Sequence, residues 1–328
     1  MTRPLWWRAI AAVTVACATA QPSLAADYPT QPVRIIVPFG GGGPADVAAR
    51  LLANGLQERL HQPFVVEDKP GAGAVIGTLE VARAAPDGYT LLMMSNTQTV
   101  NETLLPQRSY ELMRDFVAVA PVNTSDLVIV VNRSVKANTL QEFIALAKSE
   151  PGKLNYASSG QGTPYHMAGE LFKAMTDTDI VHVPHRSSGD ARSSVLGGQV
   201  EVMIDALTTM APNVAASQVR ALATTGTTRS SVLPQVPTAS EAGVPGYEAT
   251  IWLGVMAPAG TPPDIVDKLN AEINAVIQRP ETIALWAKQG AVPMTMSPAA
   301  FDRYLRDDIV KWAAVVKRIE AKAQLEAR

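Results

Sequence analysis

Cysteine is almost missing from this chain of 328 residues: Cys17 is the only one, and it falls in a leader-like N-terminus. A body without cysteine has no disulfide, no thiol nucleophile and no thiolate metal site. Aromatic residues make up only 5%, so an interior at 47% hydrophobic content has to be aliphatic and alanine-rich. No block of lysine or arginine occurs, and 28 basic residues face 30 acidic ones. That balance argues against nucleic acid as a partner. After the leader, no apolar run reaches the roughly 18 uncharged residues of a membrane span. Catalytic signatures are missing too. No G-x-x-x-x-G-K-[ST], H-E-x-x-H or G-x-S-x-G is found, which argues against phosphate-loop, zinc-protease and serine-hydrolase chemistry.

The first 26 residues read as a secretory leader. Arg3 and Arg8 mark a basic start, Ala9 to Ala20 is small and apolar apart from Thr14 and Thr19, and Leu24-Ala25-Ala26 offers small residues for cleavage. With no adjacent arginine pair, the general export route is the expected one. Removal of residues 1–26 leaves 26 basic and 30 acidic residues, a net charge of −4. About 300 residues remain, enough for two domains.

What is present is a repeated strand–loop–helix device. Val33-Arg34-Ile35-Ile36-Val37 is a β-branched run that predicts a buried strand. Gly40-Gly41-Gly42-Gly43-Pro44 follows, and then Val47, Ala48, Leu51, Leu52, Leu56 and Leu60 recur at helical spacing. Strand-like and helix-like runs go on alternating. Strands are predicted near 64–67, 89–94, 127–131, 154–157, 180–183, 202–204, 220–224 and 251–257. Helices are predicted near 46–60, 74–84, 140–149, 165–176, 190–196, 262–278, 281–289 and 298–322. Such alternation predicts α/β layers with mostly parallel sheets, and ligands that sit beyond the carboxyl ends of the strands.

The glycine loop is a candidate anion site. The first N–H groups of a helix have no internal acceptor, and its dipole is positive at that end. Phe39, Gly40, Gly41, Gly42, Gly43 and Pro44, with the amides that open the helix at Asp46, are placed to hold a carboxylate. A second such loop is Ser158-Ser159-Gly160-Gln161-Gly162-Thr163-Pro164, with Thr163 as expected N-cap and Pro164 as first helical residue. An ordinary strand–helix turn has the same residue types. Ser95, Asn96 and Thr97 close the strand ending at Met94 and would line the side of a site between these loops. Gly71-Ala72-Gly73-Ala74-Val75-Ile76-Gly77 has the spacing G-x-G-x-x-x-G, one residue too long for a dinucleotide fingerprint.

His166, His182 and His185 cluster in sequence near Asp190 and Asp205. A packed, hydrogen-bonded histidine and a general base are both open readings. Arg186 could pair bidentately with a carboxylate or stand solvated. Asp205 closes an apolar strand, where an unpaired carboxylate is costly.

In order and spacing these stretches resemble the Bug-type extracytoplasmic solute receptors of tripartite tricarboxylate transporters. The resemblance is carried by Val37-Pro38-Phe39 with Gly42-Gly43, Lys69-Pro70-Gly71-Ala72-Gly73 and Pro86-Asp87-Gly88-Tyr89-Thr90-Leu91-Leu92. It continues through Asn155-Tyr156-Ala157-Ser158-Ser159-Gly160 with His166, Leu196-Gly197-Gly198-Gln199, Asp205, and Ala257-Pro258-Ala259-Gly260-Thr261-Pro262. It implies a two-domain periplasmic-binding-protein-like fold of type II with the ligand between domains. Residues 27–124 with 225–328 would form one domain and 125–224 the other, with crossings near Leu127 to Val131 and Arg220 to Thr224.

The resemblance further implies a periplasmic, non-enzymatic, cofactor-free receptor, a monomer that delivers a di-/tricarboxylate or aromatic carboxylate to membrane transporter subunits. The first loop and Ser158, Ser159 and Thr163 would grip one carboxylate from opposite sides. His185, Arg186, Ser187 and Asp205 would set selectivity at the far end. The family pattern is broken at Gly41, where Pro is common, at His185-Arg186-Ser187 and at Ser194. Two other readings share these residues: a sensor with the same cleft docking a receptor kinase, and an enzyme using His166 or His185 as base.

Overall fold

The computed structural model describes residues 28–326; the leader and Cys17 lie outside the described residues. Three strand–helix pairs open the chain: β1 (Val33–Val37) with α1 (Pro44–Leu60), β2 (Phe64–Asp68) with α2 (Val75–Ala82), and β3 (Thr90–Ser95) with α3 (Asn96–Leu104). A short α4 (Leu112–Asp115) leads into β4 (Phe116–Asn132), a strand of 17 residues. Next come α5 (Leu140–Ser149), β5 (Asn155–Ser158), α6 (Pro164–Thr176), β6 (Val181–Pro184), α7 (Ser188–Leu196), β7 (Val202–Ala206), α8 (Leu207–Ala215) and β8 (Val219–Thr224). The last elements are β9 (Thr250–Pro258), α9 (Pro263–Ile277), α10 (Pro280–Gln289), β10 (Ala291–Pro293) and α11 (Pro298–Glu326).

The strands run in the order β2-β1-β3-β9-β4-β7-β5-β6, with β8 and β10 also paired to β4. β1 is parallel to β2 and β3, and β5 is parallel to β6 and β7. These are the strand–helix units of the sequence, where each helix returns the chain for parallel pairing. β9 runs antiparallel to β3 and β4, and β4 antiparallel to β7, β8 and β10. The sheets are thus parallel in their outer strands and antiparallel along β9 and β4. Phe116 to Asp126 of β4 pairs with β9, while Leu127 to Asn132 pairs with β7 and β8. One strand therefore belongs to both halves. Its register against β9 shifts twice, between Ala118 and Ala120 and between Pro121 and Asn123.

Helical periodicity does what the sequence implied. On α1, Ala48, Leu52 and Leu56 are buried, each leucine contributing about 1.5–3 kcal/mol. α1 also packs on α9 at Gly55, where a β-carbon would stand 2.5 Å from the Val276 Cγ1. At the far end, Val100 of α3, Met167 of α6 and Trp312 and Val316 of α11 share one cluster, so α11 touches both halves. No helix among the described residues is long and apolar enough to cross a membrane.

Among the features that escaped the sequence reading, three have a local cause. α3 begins where a strand end was expected, although Ser95-Asn96-Thr97-Gln98 spells a capping box: Thr97 N donates to Ser95 Oγ at 3.1 Å and Ser95 N to Gln98 Oε1 at 3.0 Å. α8 carries Pro212 inside it, which hid its period. β4 begins eleven residues before its predicted start, at Phe116.

Candidate functional site

Among the cavities between the halves, three adjoin through shared lining residues. The inner one, about 20 Å³, is lined by Phe39, Gly43, Pro44, Ala45, Ser95, Ser159, Thr163, Pro164, Tyr165, Ser188 and Ile251. Gly43 is the N-cap of α1, Ser95 of α3 and Thr163 of α6, and Ser188 is the first residue of α7. Four helix N-termini from both halves thus converge on one space that has no ionisable side chain except the Tyr165 phenol. Pro44 and Pro164 each take the first helical position, where the missing N–H removes no hydrogen bond.

The outer chamber, about 320 Å³, shares Phe39, Ser159 and Thr163 with the inner one and adds Pro38, Gly40, the 70–74 loop, Gly160, Pro184, His185 and Arg186. Its rim at Gly71, Ala72, Gly73 and Ala74 has positive φ at all four residues. Arg186 is exposed. The rear chamber, about 100 Å³, shares Pro44 and Ile251 with the inner one and reaches toward β4, α8 and α10.

The halves meet at glycines. A β-carbon at Gly43 would stand 2.7 Å from Ser188 Oγ, at Gly73 3.0 Å from Gln161 O, and at Gly162 2.6 Å from Asn101 Oδ1. Gly42 is different: its φ is +75° and open space surrounds it, so its glycine serves the turn. The Gly42 N–H donates to Asp46 Oδ2 at 2.8 Å, and Asp46 Oδ1 pairs with Arg50 Nε at 2.6 Å. Asp46 therefore organises the loop from within.

The second loop stands on a stack of rings. Ser158 Oγ accepts from Gly160 N at 3.0 Å and lies 2.6 Å from His182 Nε2. Gly162 N donates to His166 Nδ1 at 3.2 Å. The His166 and His182 rings are 4.3 Å apart, and Tyr156 stacks on His182 at 4.9 Å. Burial, with the neighbouring His166, pushes His182 down to about 4, and burial lowers His166 as well. A neutral His166 with its proton on Nε2 is what the Gly162 bond requires. Ser158 is fully buried, so the Ser158–His182 pair holds a loop and presents no open nucleophile.

Of the residues singled out in the sequence, Phe39, Gly40, Gly43, Pro44, Ser95, Ser159, Gly160, Thr163, His185 and Arg186 line the inner or outer chamber. Gly41, Gly42, Asp46, Asn96, Thr97, Ser158, Gly162, His166, Ser187 and Asp205 line neither. Asn96 is buried, with Nδ2 donating to Thr250 O at 3.0 Å, and Thr97 is buried in the α3 cap. Ser187 caps α7, accepting from Asp190 N at 3.0 Å. The expected far-end role of Asp205 gives way to a structural one. It is fully buried, accepts from Arg192 Nε at 2.8 Å and from Ala206 N at 2.9 Å, and ties α7 to β7. Burial raises its carboxyl despite Arg192.

Tyr165, Ser188 and Ile251 line the inner chamber without having been expected there. Ser188 was signalled by its place after Ser187 at a helix start; Ile251 lies far away in sequence and carried no signal. Among the described residues, no group of three or more His, Cys, Asp or Glu is arranged to hold a metal ion.

Comparison with known proteins agrees with this architecture. The profile of the tripartite tricarboxylate transporter family receptor matches residues 48–321. Protein BugT of Bordetella pertussis is 38% identical over 325 residues, covering 98% of this chain and 99% of that one. A solved R. palustris protein with adipate superposes with a TM-score of 0.87 at 33% identity, covering 89% of this chain and 98% of that one. MatC from Rhodopseudomonas palustris with bound malate gives 0.85 at 31% identity, covering 88% and 100%. With a family-wide match over most of its length and a two-domain periplasmic-binding-protein fold, the chain belongs to the tripartite tricarboxylate transporter receptor family, among the Bug-type solute-binding proteins.

Proposed function

We propose that this protein captures a small carboxylate in the inner chamber and carries it, in the periplasm, to the membrane subunits of a tripartite tricarboxylate transporter. The observation that carries the reading is the convergence of the α1, α3, α6 and α7 N-termini on one space without a cation. A partly buried helix N-terminus stabilises an anion by up to about 2 kcal/mol, and hydrogen bonds to a charged group contribute about 1.5–3 kcal/mol. Such donors suffice for a carboxylate and need no catalytic side chain. The relatives solved with adipate and malate support the ligand class.

Residues 27–124 with 225–328 form one domain and 125–224 the other in this reading, with residues 1–26 removed on export. The inner chamber is too small for a whole carboxylate ligand, so binding requires the domains to part and close again, with the glycine contacts forming last. The protein binds and releases its ligand unchanged.

Native mass spectrometry of gently purified protein, followed by a thermal-shift screen of mono-, di- and tricarboxylates and aromatic acids, tests this. A ligand that binds only the folded state stabilises by about 2.7 kcal/mol at a hundredfold excess over Kd. A copurified acid, or a stabilising acid recovered intact, is the expected result. No bound acid and no shift across the panel removes the carboxylate reading.

A further inference from the structure

The second loop is held by a hydrogen bond that only a neutral ring can accept. Gly162 N donates to His166 Nδ1 at 3.2 Å. A backbone N–H can only donate, so that ring nitrogen has to keep its lone pair. A proton on Nδ1 would set one N–H against another and push residue 162 away. His182 is under no such constraint. Its Nε2 lies 2.6 Å from Ser158 Oγ, and a hydroxyl turns between donating and accepting. Of the two stacked rings, His166 is therefore the one whose charge moves the loop. Gly162 is also where the loop meets the other domain. A β-carbon there would stand 2.6 Å from Asn101 Oδ1, and Asn101 Nδ2 donates to Gly73 O at 2.8 Å on the rim of the outer chamber. Ser159 and Thr163 of the same loop line the inner chamber. A shift at Gly162 thus reaches both the cross-domain contact and the lining of the site.

The charged and titratable groups around the two rings are Glu170 and Lys173 of α6 and His185 at the end of β6, with Tyr156 of β5 stacked on His182 and Tyr247 beyond it. Glu170 favours a charged His166, but it is already engaged by Tyr156 Oη at 2.7 Å and Lys173 Nζ at 3.1 Å. Against α6, α3 and α11 present Val100, Trp312 and Val316, none of them titratable. Burial outweighs Glu170 and holds His166 below its ordinary 6.5.

We propose that His166 is a positioning residue for ligand capture: it holds the second loop through Gly162 only while its ring is neutral, so that closure on a carboxylate expels a proton. This rests on the carboxylate reading of the inner chamber. With the domains apart, the loop faces no opposite wall and can yield to a charged ring. With the domains closed, Gly162 is pinned against Asn101 and cannot. The proton therefore favours the open form and the ligand the closed one, and each weakens binding of the other by the same factor. The sign follows from the geometry. The open form binds the Nδ1 proton more tightly, so affinity is full above the ordinary histidine value of 6.5 and falls as pH drops below it. The proton that leaves Nδ1 on closure goes to solvent.

Calorimetry at about pH 7.5 and about pH 5, in two buffers of different ionisation enthalpy, tests the coupling. Adipate and malate are the first probes, followed by the other acids of the screening panel. The parent is compared with His166→Asn and His182→Gln. An asparagine carbonyl can take the place of Nδ1 as acceptor and binds no proton. His166→Asn is therefore expected to match the parent at the higher pH. At the lower pH the parent should lose about threefold or more affinity beyond what that variant loses, and should release a proton on binding that the variant does not. The acid's own titration is common to both and cancels. His182→Gln keeps the parent's pH dependence. In the ligand-free parent, the His166 ring nitrogens and the Gly162 amide should titrate together by nuclear magnetic resonance. Equal pH dependence in the parent and His166→Asn overturns the proposal, and so does a dependence lost only in His182→Gln. Where His166→Asn does not fold, the parent's resonances decide. A ring protonated on Nδ1 at the higher pH, or one that titrates without moving the Gly162 amide, overturns the proposal. Failure of every acid to bind the parent at the higher pH takes down the carboxylate reading and the proposal with it. Resonances of His166 and Gly162 that still titrate together distinguish that outcome from failure of the His166 contact.

Discussion

Gly40 faces Ser187 so closely that a β-carbon on residue 40 would stand 2.5 Å from the Ser187 Cβ. Two residues nearly 150 positions apart thus define how near the domains approach. Gly40 does not adopt a positive φ, so its lack of a side chain matters for apposition and not for the turn. Gly40→Ala is expected to fold normally and to close incompletely, with ligand affinity reduced at least about tenfold. Calorimetry beside small-angle scattering checks this; parent affinity together with parent compaction would refute it.

At Gly42 the backbone is left-handed and the space beyond is open. Asn tolerates that conformation better than other side chains and is close to Asp in shape. Gly42→Asn should retain binding, whereas Gly42→Asp adds a negative charge beside Asp46 at the positive end of α1 and should abolish it. Equal affinity in the two variants, by calorimetry, would place the carboxylate elsewhere.

The Arg192–Asp205 pair is nearly free of solvent, at 13% and 0% side-chain exposure. Removing one partner of a buried pair destabilises by about 3–5 kcal/mol because a charge is left uncompensated. Arg192→Met should therefore lower the melting temperature sharply. Arg192→Met with Asp205→Asn should recover most of the loss, since no charge remains. Denaturant unfolding of both variants decides it, and an equal loss in both would show that packing dominates.

His182 and His166 give stability a pH dependence of known sign. Burial holds both below the ordinary value of 6.5, His182 at about 4. In the unfolded chain these histidines bind protons at a higher pH than in the folded one, so their contribution is complete above 6.5 and is lost as pH falls toward 4. The half-buried Asp126 and the buried Asp205 and Asp308 carboxyls are raised by burial and act with the opposite sign above their ordinary value. Melting temperature between pH 4 and 6.5 should rise more steeply in the parent than in His182→Asn. Parallel curves would refute the assignment.

The parts of the fold that rest on local periodicity were legible in the sequence. β1 with α1 and β5 with α6 each carry an apolar run, a glycine turn and a proline at the helix start, and these are properties of neighbouring residues. The inner chamber was half legible for the same reason: Gly43 and Thr163 announce helix N-termini, while Ser95 was assigned to a strand end although Gln98 completes its cap. What stayed hidden depends on distant partners. Nothing near Asp205 shows that Arg192 will neutralise it. The long β4 was under-read because its first part is a strand only in the company of β9.

The two register shifts in β4 bear on how closure is felt by the backbone. Between Ala118 and Asn123 the ladder to β9 is interrupted, and Pro121 in that stretch has no amide to contribute. Amide hydrogen exchange should therefore divide β4 into two slowly exchanging stretches separated by a fast one. Because β4 changes partner only at Leu127, the break and the stretch before it lie in the β9-paired body, and the slow stretch from Asn123 onward is the part that both bodies share.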